Sequence, residues 1–189
     1  MRIHRAALAA VAALAGVAGA DSGKAQVGKE VPDLTLRTLD GKEIRLSDLR
    51  AKEGKEGKVV ILASWSSDCP SGKPNLGWHE EMAKWAKEKG VVYVGIAMYG
   101  EPAEKIKKHC EESKSEVSVA KDDEETTIAS TLDAKTVNTA WVIDAKGALQ
   151  YAGGFEGRKD GEKVNLVKQA AEELLAGKEV SVKASKPAG

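Results

Sequence analysis

Two uninterrupted apolar runs, VVILASW at 59–65 and VVYVGIAM at 91–98, bracket a stretch with the period of a helix. A strand that shows one face to water alternates apolar and polar residues, whereas a run apolar throughout belongs to a strand buried on both faces. Between the runs, Trp78, Met82 and Trp85 recur at i, i+4 and i+7, which predicts a helix over about residues 75–89 with one apolar face. Strand, helix and strand of this kind imply an α/β domain whose central sheet contains parallel pairs and is covered on both sides.

The flanking segments extend that unit. LTLRTLDGKEIRLSDL alternates on both sides of Asp40-Gly41 and reads as a β-hairpin. AKEGKEGK is a solvated loop, and EPAEKIKKHCEES is a helix that starts at Pro102. SVAK leads to an acidic turn and a short helix from Glu124 to Leu132. AWVID and ALQYAGG form a second hairpin about Gly147, EKVNLVKQAAEELLAGK is a last amphipathic helix ending at Gly177, and VSVKASKPAG is an unanchored tail. The expected organisation is a leader over 1–20, a polar lead-in over 21–30, one domain over 31–178 and a flexible tail over 179–189. A chain of 189 residues, 42% apolar, suits one such core.

The leader is read from Arg2 and Arg5, an uncharged run of Ala, Leu and Val, and the small residues Ala18-Gly19-Ala20 before Asp21. That is the layout of a secretory signal cleaved after Ala20, and the apolar run of about 15 residues falls short of the ~20 that a spanning helix needs. Export to a periplasmic or extracellular compartment is therefore expected, with no membrane anchor after cleavage. With 29 basic and 29 acidic residues and 4% aromatics, the chain offers neither the basic surface nor the stacking platform of a nucleic-acid binder.

Chemistry concentrates at LASWSSDCPSGKPN, residues 62–75, where a thiol, Cys69, follows a buried strand and precedes a helix. Backbone N–H groups at a helix start favour the thiolate, Lys73 adds positive charge, and the adjacent Asp68 opposes it. The other cysteine, Cys110, falls with Ala103 and Ile106 at i, i+3 and i+7. On that spacing it packs as a small core residue, and eight residues of helix from Pro102 carry it about 12 Å away. The alternative is a resolving thiol for Cys69. No cysteine or histidine spacing suits a metal, so His79 and His109 read as solvent-facing, and neither cofactor nor metal is expected. Arg158 is the one arginine after Arg50, with no position that ties it to Cys69.

VGKEVPDLTLRTLDGKEIRLSDL, SWSSDCP and VNTAWVIDAKGALQYAGG together resemble the thioredoxin-fold redoxins: the alkyl hydroperoxide reductase/thiol-specific antioxidant (AhpC/TSA) group and its exported thioredoxin-like relatives. The resemblance covers about residues 27–177. It implies a thioredoxin-like fold, a central mixed sheet flanked by helices with an added N-terminal β-hairpin. It also implies a catalytic cysteine at Cys69 with Ser66, Trp65 and Asn138 around it. Dithiol members carry W-x-x-x-C-x-x-C, and here Trp65 and Cys69 match while Gly72 replaces the second cysteine. Peroxidase members carry P-x-x-x-T-x-x-C, and here Ser66 matches while Leu62 replaces the proline. Asn138 stands where dithiol members have a cis-proline and many peroxidases an arginine, and its own bond is expected trans. The resemblance thus implies an exported redoxin whose single nucleophile, Cys69, attacks peroxide or a protein disulfide and is reset by an external thiol or by Cys110. Loss of the partner cysteine and the proline leaves a second reading, a thioredoxin-fold domain that binds a peptide or protein without catalysis. A copper-delivering relative would need a ligand pair that this chain lacks.

Overall fold

The computed structural model describes residues 23–70, 75–98, 100–123, 127–159 and 161–187. The leader, Gly72, Lys73 and the Glu124 start of the expected short helix lie outside the described residues. The chain runs β1 (Thr35–Arg37), β2 (Glu43–Arg45), α1 (Leu46–Leu49), β3 (Val60–Trp65), α2 (Leu76–Lys89), β4 (Val92–Ala97), α3 (Ala103–Ser113), β5 (Val119–Lys121), α4 (Thr127–Thr131), β6 (Thr139–Ile143), β7 (Leu149–Gly154), β8 (Glu156–Lys159), β9 (Glu162–Asn165) and α5 (Leu166–Leu175). A five-stranded mixed sheet has the order β5-β4-β3-β6-β7. β3 pairs parallel with β4 and antiparallel with β6, so the two continuous apolar runs are central neighbours, as their composition demands.

Successive side chains of these strands feed two cores. Ile61, Ala63 and Trp65 of β3, with Ala140 and Val142 of β6, meet Met82, Ala83 and Ala86 of α2, Ile106 of α3, and Val167 and Ala170 of α5. Val60 and Leu62, with Val94, Ile96 and Trp141, meet Leu34, Leu36 and Leu46 of the N-terminal hairpin region and Ile128 of α4. This period-two division is the pleat expressed on both faces. Trp65 fits because β4 has a glycine beside it: a Cβ on Gly95 would lie 3.2 Å from the Trp65 Cβ and from a Val117 methyl.

Both sheet edges are covered. The hairpin β1–β2, with Leu36 opposite Ile44 and Gly41 in its turn at φ 85°, docks on β5 through a Thr38–Ala120 bridge and the Leu39 N–H to the Val119 carbonyl at 2.8 Å. At the other edge the structure corrects the tail expectation. Ala184 bridges Ala152 of β7, Ala152 N–H donates to the Lys183 carbonyl at 3.1 Å, and Val180 is 2% exposed. A second correction concerns residues 162–165, expected as helix, which form β9 against β8; the turn between them holds Gly161 at φ 87°. The helix starts one residue later, where the Asn165 side chain accepts the Lys168 N–H at 3.0 Å.

Candidate active site

Because β3 and β4 are parallel neighbours, their carboxyl ends open on the same edge of the sheet, the place where open α/β sheets bind ligands. The chain leaves β3 at Trp65 and turns immediately. Ser66 Oγ accepts the N–H groups of Asp68 at 3.2 Å and Cys69 at 3.1 Å, which fixes the turn that presents the thiol. Cys69 is a half-exposed free thiol, six residues ahead of Asn75. Cys69 belongs to the turn after β3 and precedes α2, which runs from Leu76.

The turn is held from below by a residue that the sequence reading missed. Glu101, between β4 and α3, is 7% exposed. One carboxylate oxygen accepts the Ser66 hydroxyl at 3.0 Å and the Ser67 N–H at 3.2 Å; the other accepts the Ser67 hydroxyl. Three donors compensate the loss of water around a buried carboxylate. The available signal was an acid directly before the helix-starting Pro102, just past a continuous apolar run. Outside the turn, Lys105 of α3 pairs with Asp68.

Cys69 opens onto a cleft of about 650 Å³, lined also by Ser66, Asp68, Met98, Glu101, Pro102 and, on the opposite wall, Lys135, Thr136 and Val137. Of the expected pocket residues, Ser66 is on this cleft. Trp65 and Asn138 are corrected to supporting positions. Trp65 faces the core over Gly95 and meets the His109 ring edge-on, centroids 5.7 Å apart. Asn138 is 4% exposed, behind the wall formed by its neighbours, and takes φ 74°. Asparagine is among the few side chains that tolerate this left-handed region. No described peptide bond is cis. Next to it, Ser64 Oγ accepts the Thr139 N–H at 2.9 Å and donates to the Thr139 carbonyl at 3.1 Å, tying β3 to the wall.

Cys110 lies elsewhere. It is half-buried against the core and lines a different cleft with Leu39, Lys107 and Ser115, which has no residue in common with that of Cys69. Burial pushes its thiol up, the nearby Glu80 charge adds to this, and a hydrogen bond with Ser115 opposes it. Both cysteines are free. His79 corrects the solvent-facing expectation: it is 2% exposed, Nδ1 is 2.7 Å from the Tyr93 hydroxyl, and the ring lies against Phe155. Burial holds it neutral, with its pKa at about 3, against the opposing hydrogen bond to the Ser64 backbone. Arg158 is exposed on the β8–β9 hairpin and donates to the Gly161 carbonyl. Among the described residues no group of three or more His, Cys, Asp or Glu could hold a metal ion, and no helix is long and apolar enough to cross a membrane.

The sequence profile of the AhpC/TSA family matches residues 27–152. This chain belongs to the AhpC/TSA family. The redoxin is also 35% identical over 77 residues to the thiol-disulfide oxidoreductase ResA of Bacillus thuringiensis (strain Al Hakam), covering 41% of each chain. It thus spans about two fifths of that relative's length. Its fold is that of the thioredoxin-like proteins. The structure of a conserved, uncharacterized protein from Geobacillus kaustophilus superposes with a TM-score of 0.69 at 21% identity, covering 87% of this redoxin and 94% of that chain. The pneumococcal exposed lipoprotein thioredoxin Etrx1 of Streptococcus pneumoniae strain TIGR4 has a TM-score of 0.56 at 26% identity, covering 76% and 100%.

Proposed function

We propose that this redoxin is an exported thiol oxidoreductase in which Cys69, acting as a single nucleophile, exchanges with protein disulfides and is reset by an external thiol. The observation that carries the reading is the placement of Cys69: a half-exposed free thiol on a roomy cleft at the carboxyl ends of two parallel strands, its turn held by hydrogen bonds. The similarity to a thiol-disulfide oxidoreductase supports exchange as the chemistry. An external thiol is invoked because Cys110 sits on another cleft and its protonated form is favoured. Peroxide is the less supported oxidant, since the Ser66 hydroxyl, the residue shared with the peroxidase pattern, is engaged with Glu101 and two backbone N–H groups.

Export rests on the leader pattern and on similarity to a protein described as an exposed lipoprotein. N-terminal sequencing of protein secreted by an expressing bacterium is expected to begin at Asp21. Protein retained inside the cell with Met1 intact would oppose export.

The deciding experiment incubates the protein with a disulfide-bonded peptide and maps the adduct by mass spectrometry, followed by release with a small thiol. A mixed disulfide at Cys69 that the thiol resolves is the expected result. An adduct absent from Cys69, with a tight peptide complex that survives Cys69→Ser, would transfer the protein to the binding-domain class favoured by Gly72 and Asn138.

A further inference from the structure

The cleft beside Cys69 holds one buried charge. Glu101 lines it at 7% exposure, with both oxygens fixed by Ser66 and Ser67. Every neighbour donates to it, the pattern an ionised carboxylate accepts. Among the described residues no lysine, arginine or histidine pairs with it. The other charges on the cleft are exposed and matched: Asp68 with Lys105, and Lys135 with Asp133 at 3.1 Å. Exposed pairs have fields that cancel and are screened by salt, whereas a buried charge acts through a lower dielectric.

We infer that Glu101 is a specificity-determining residue: it favours cationic and neutral disulfides over anionic ones as partners of Cys69. The inference rests on the proposed exchange chemistry. In that step the Cys69 thiolate attacks one sulfur of the partner and a new Sγ–S bond forms. The old S–S bond breaks with its electron pair leaving on the departing thiolate, which takes a proton from water. The substituents of the attacked disulfide occupy the cleft at this moment, within a Debye length of Glu101. At such separations and an intermediate dielectric, the spread between a doubly cationic and a doubly anionic disulfide is at least about tenfold in rate.

The test measures mixed-disulfide formation at Cys69, by peptide mass spectrometry, with cystamine, bis(2-hydroxyethyl) disulfide and dithiodiglycolate. Each rate is divided by that of a neutral small-molecule thiol, which removes intrinsic leaving-group differences. The expected order is cationic, neutral, anionic, largely retained at high salt and compressed in Glu101→Gln, whatever that variant does to the absolute rates. Normalised rates without this order overturn the inference, as does an order that Glu101→Gln leaves in place. Should Glu101→Gln not fold, an order that high salt abolishes in the unaltered protein belongs to the exposed charges and overturns the inference. A Cys69 that reacts with none of the three overturns the functional reading and this inference with it.

Discussion

Cys69 and Cys110 are chemically unlike because of what surrounds them. One is presented by a turn at a strand end; the other is half-buried near Glu80. Cys69→Ser is therefore expected to abolish disulfide exchange with the far-ultraviolet dichroism unchanged. Cys110→Ser is expected to keep exchange, since a core thiol resembles a small apolar side chain. Exchange rates and dichroism of the two variants check both statements. His79 makes a different prediction. Its folded pKa of about 3 lies below the unfolded value of about 6.5. Between those values the unfolded chain binds a proton that the folded one does not. The contribution of His79 is thus complete above about pH 6.5 and is lost as pH falls toward 3, by about 1.4 kcal/mol per pH unit. Urea unfolding at successive pH values is expected to show this slope, reduced by that amount in His79→Gln. Equal slopes in the two proteins would place His79 in water.

Among the elements, the edges decide the most. A five-stranded sheet ends in two rows of open backbone groups, and here the β1–β2 hairpin covers β5 while residues 180–186 cover β7. The second cover is keyed to glycine: a Cβ on Gly153 would lie 2.5 Å from the Ser185 carbonyl oxygen and 2.6 Å from its nitrogen. Ser185 Oγ then accepts the Gly154 N–H at 3.0 Å and meets the Tyr151 hydroxyl at 2.7 Å. Gly153→Ala is expected to destabilise the full chain by about 1–3 kcal/mol, as overpacking does. In a chain ending at Glu179 the same substitution is expected to cost little, because the clashing segment is gone. A double-mutant cycle on unfolding free energies measures the coupling, and additive effects would mean that the segment is not docked. Exposed β7 in the shortened chain is also expected to raise concentration-dependent association in light scattering.

Over the whole molecule, one sheet serves two cores, with Trp85 reporting the α2 side and Trp141, bonded through Nε1 to the Leu132 carbonyl at 3.0 Å, reporting the other. Since every central strand contributes to both faces, variants keeping only Trp85 or only Trp141 are expected to lose native fluorescence at the same urea concentration. Separate midpoints would show the two faces melting independently. Much of this layout is legible locally. Continuous apolar runs mark β3 and β4, alternation about Asp40-Gly41 and Gly147 marks the hairpins, and the strand–cysteine junction marks the reactive turn. These signals are periods and turn residues, written in neighbouring positions. Residues 162–165 of β9 carry a helical pattern, because Val164 also fits the apolar face of the helix that follows. Glu101 under Ser66 and Ser67, His79 between Tyr93 and Phe155, and Ser185 over Gly153 are pairings across long stretches of chain. No spacing encodes them. By itself the sequence determined the strands, the helix faces and the thiol, because backbone period and burial are local demands. Only the tertiary structure decided which carboxylate holds the turn that carries the thiol, which cysteine stands apart and what covers each edge, because crossover topology alone brings those residues together.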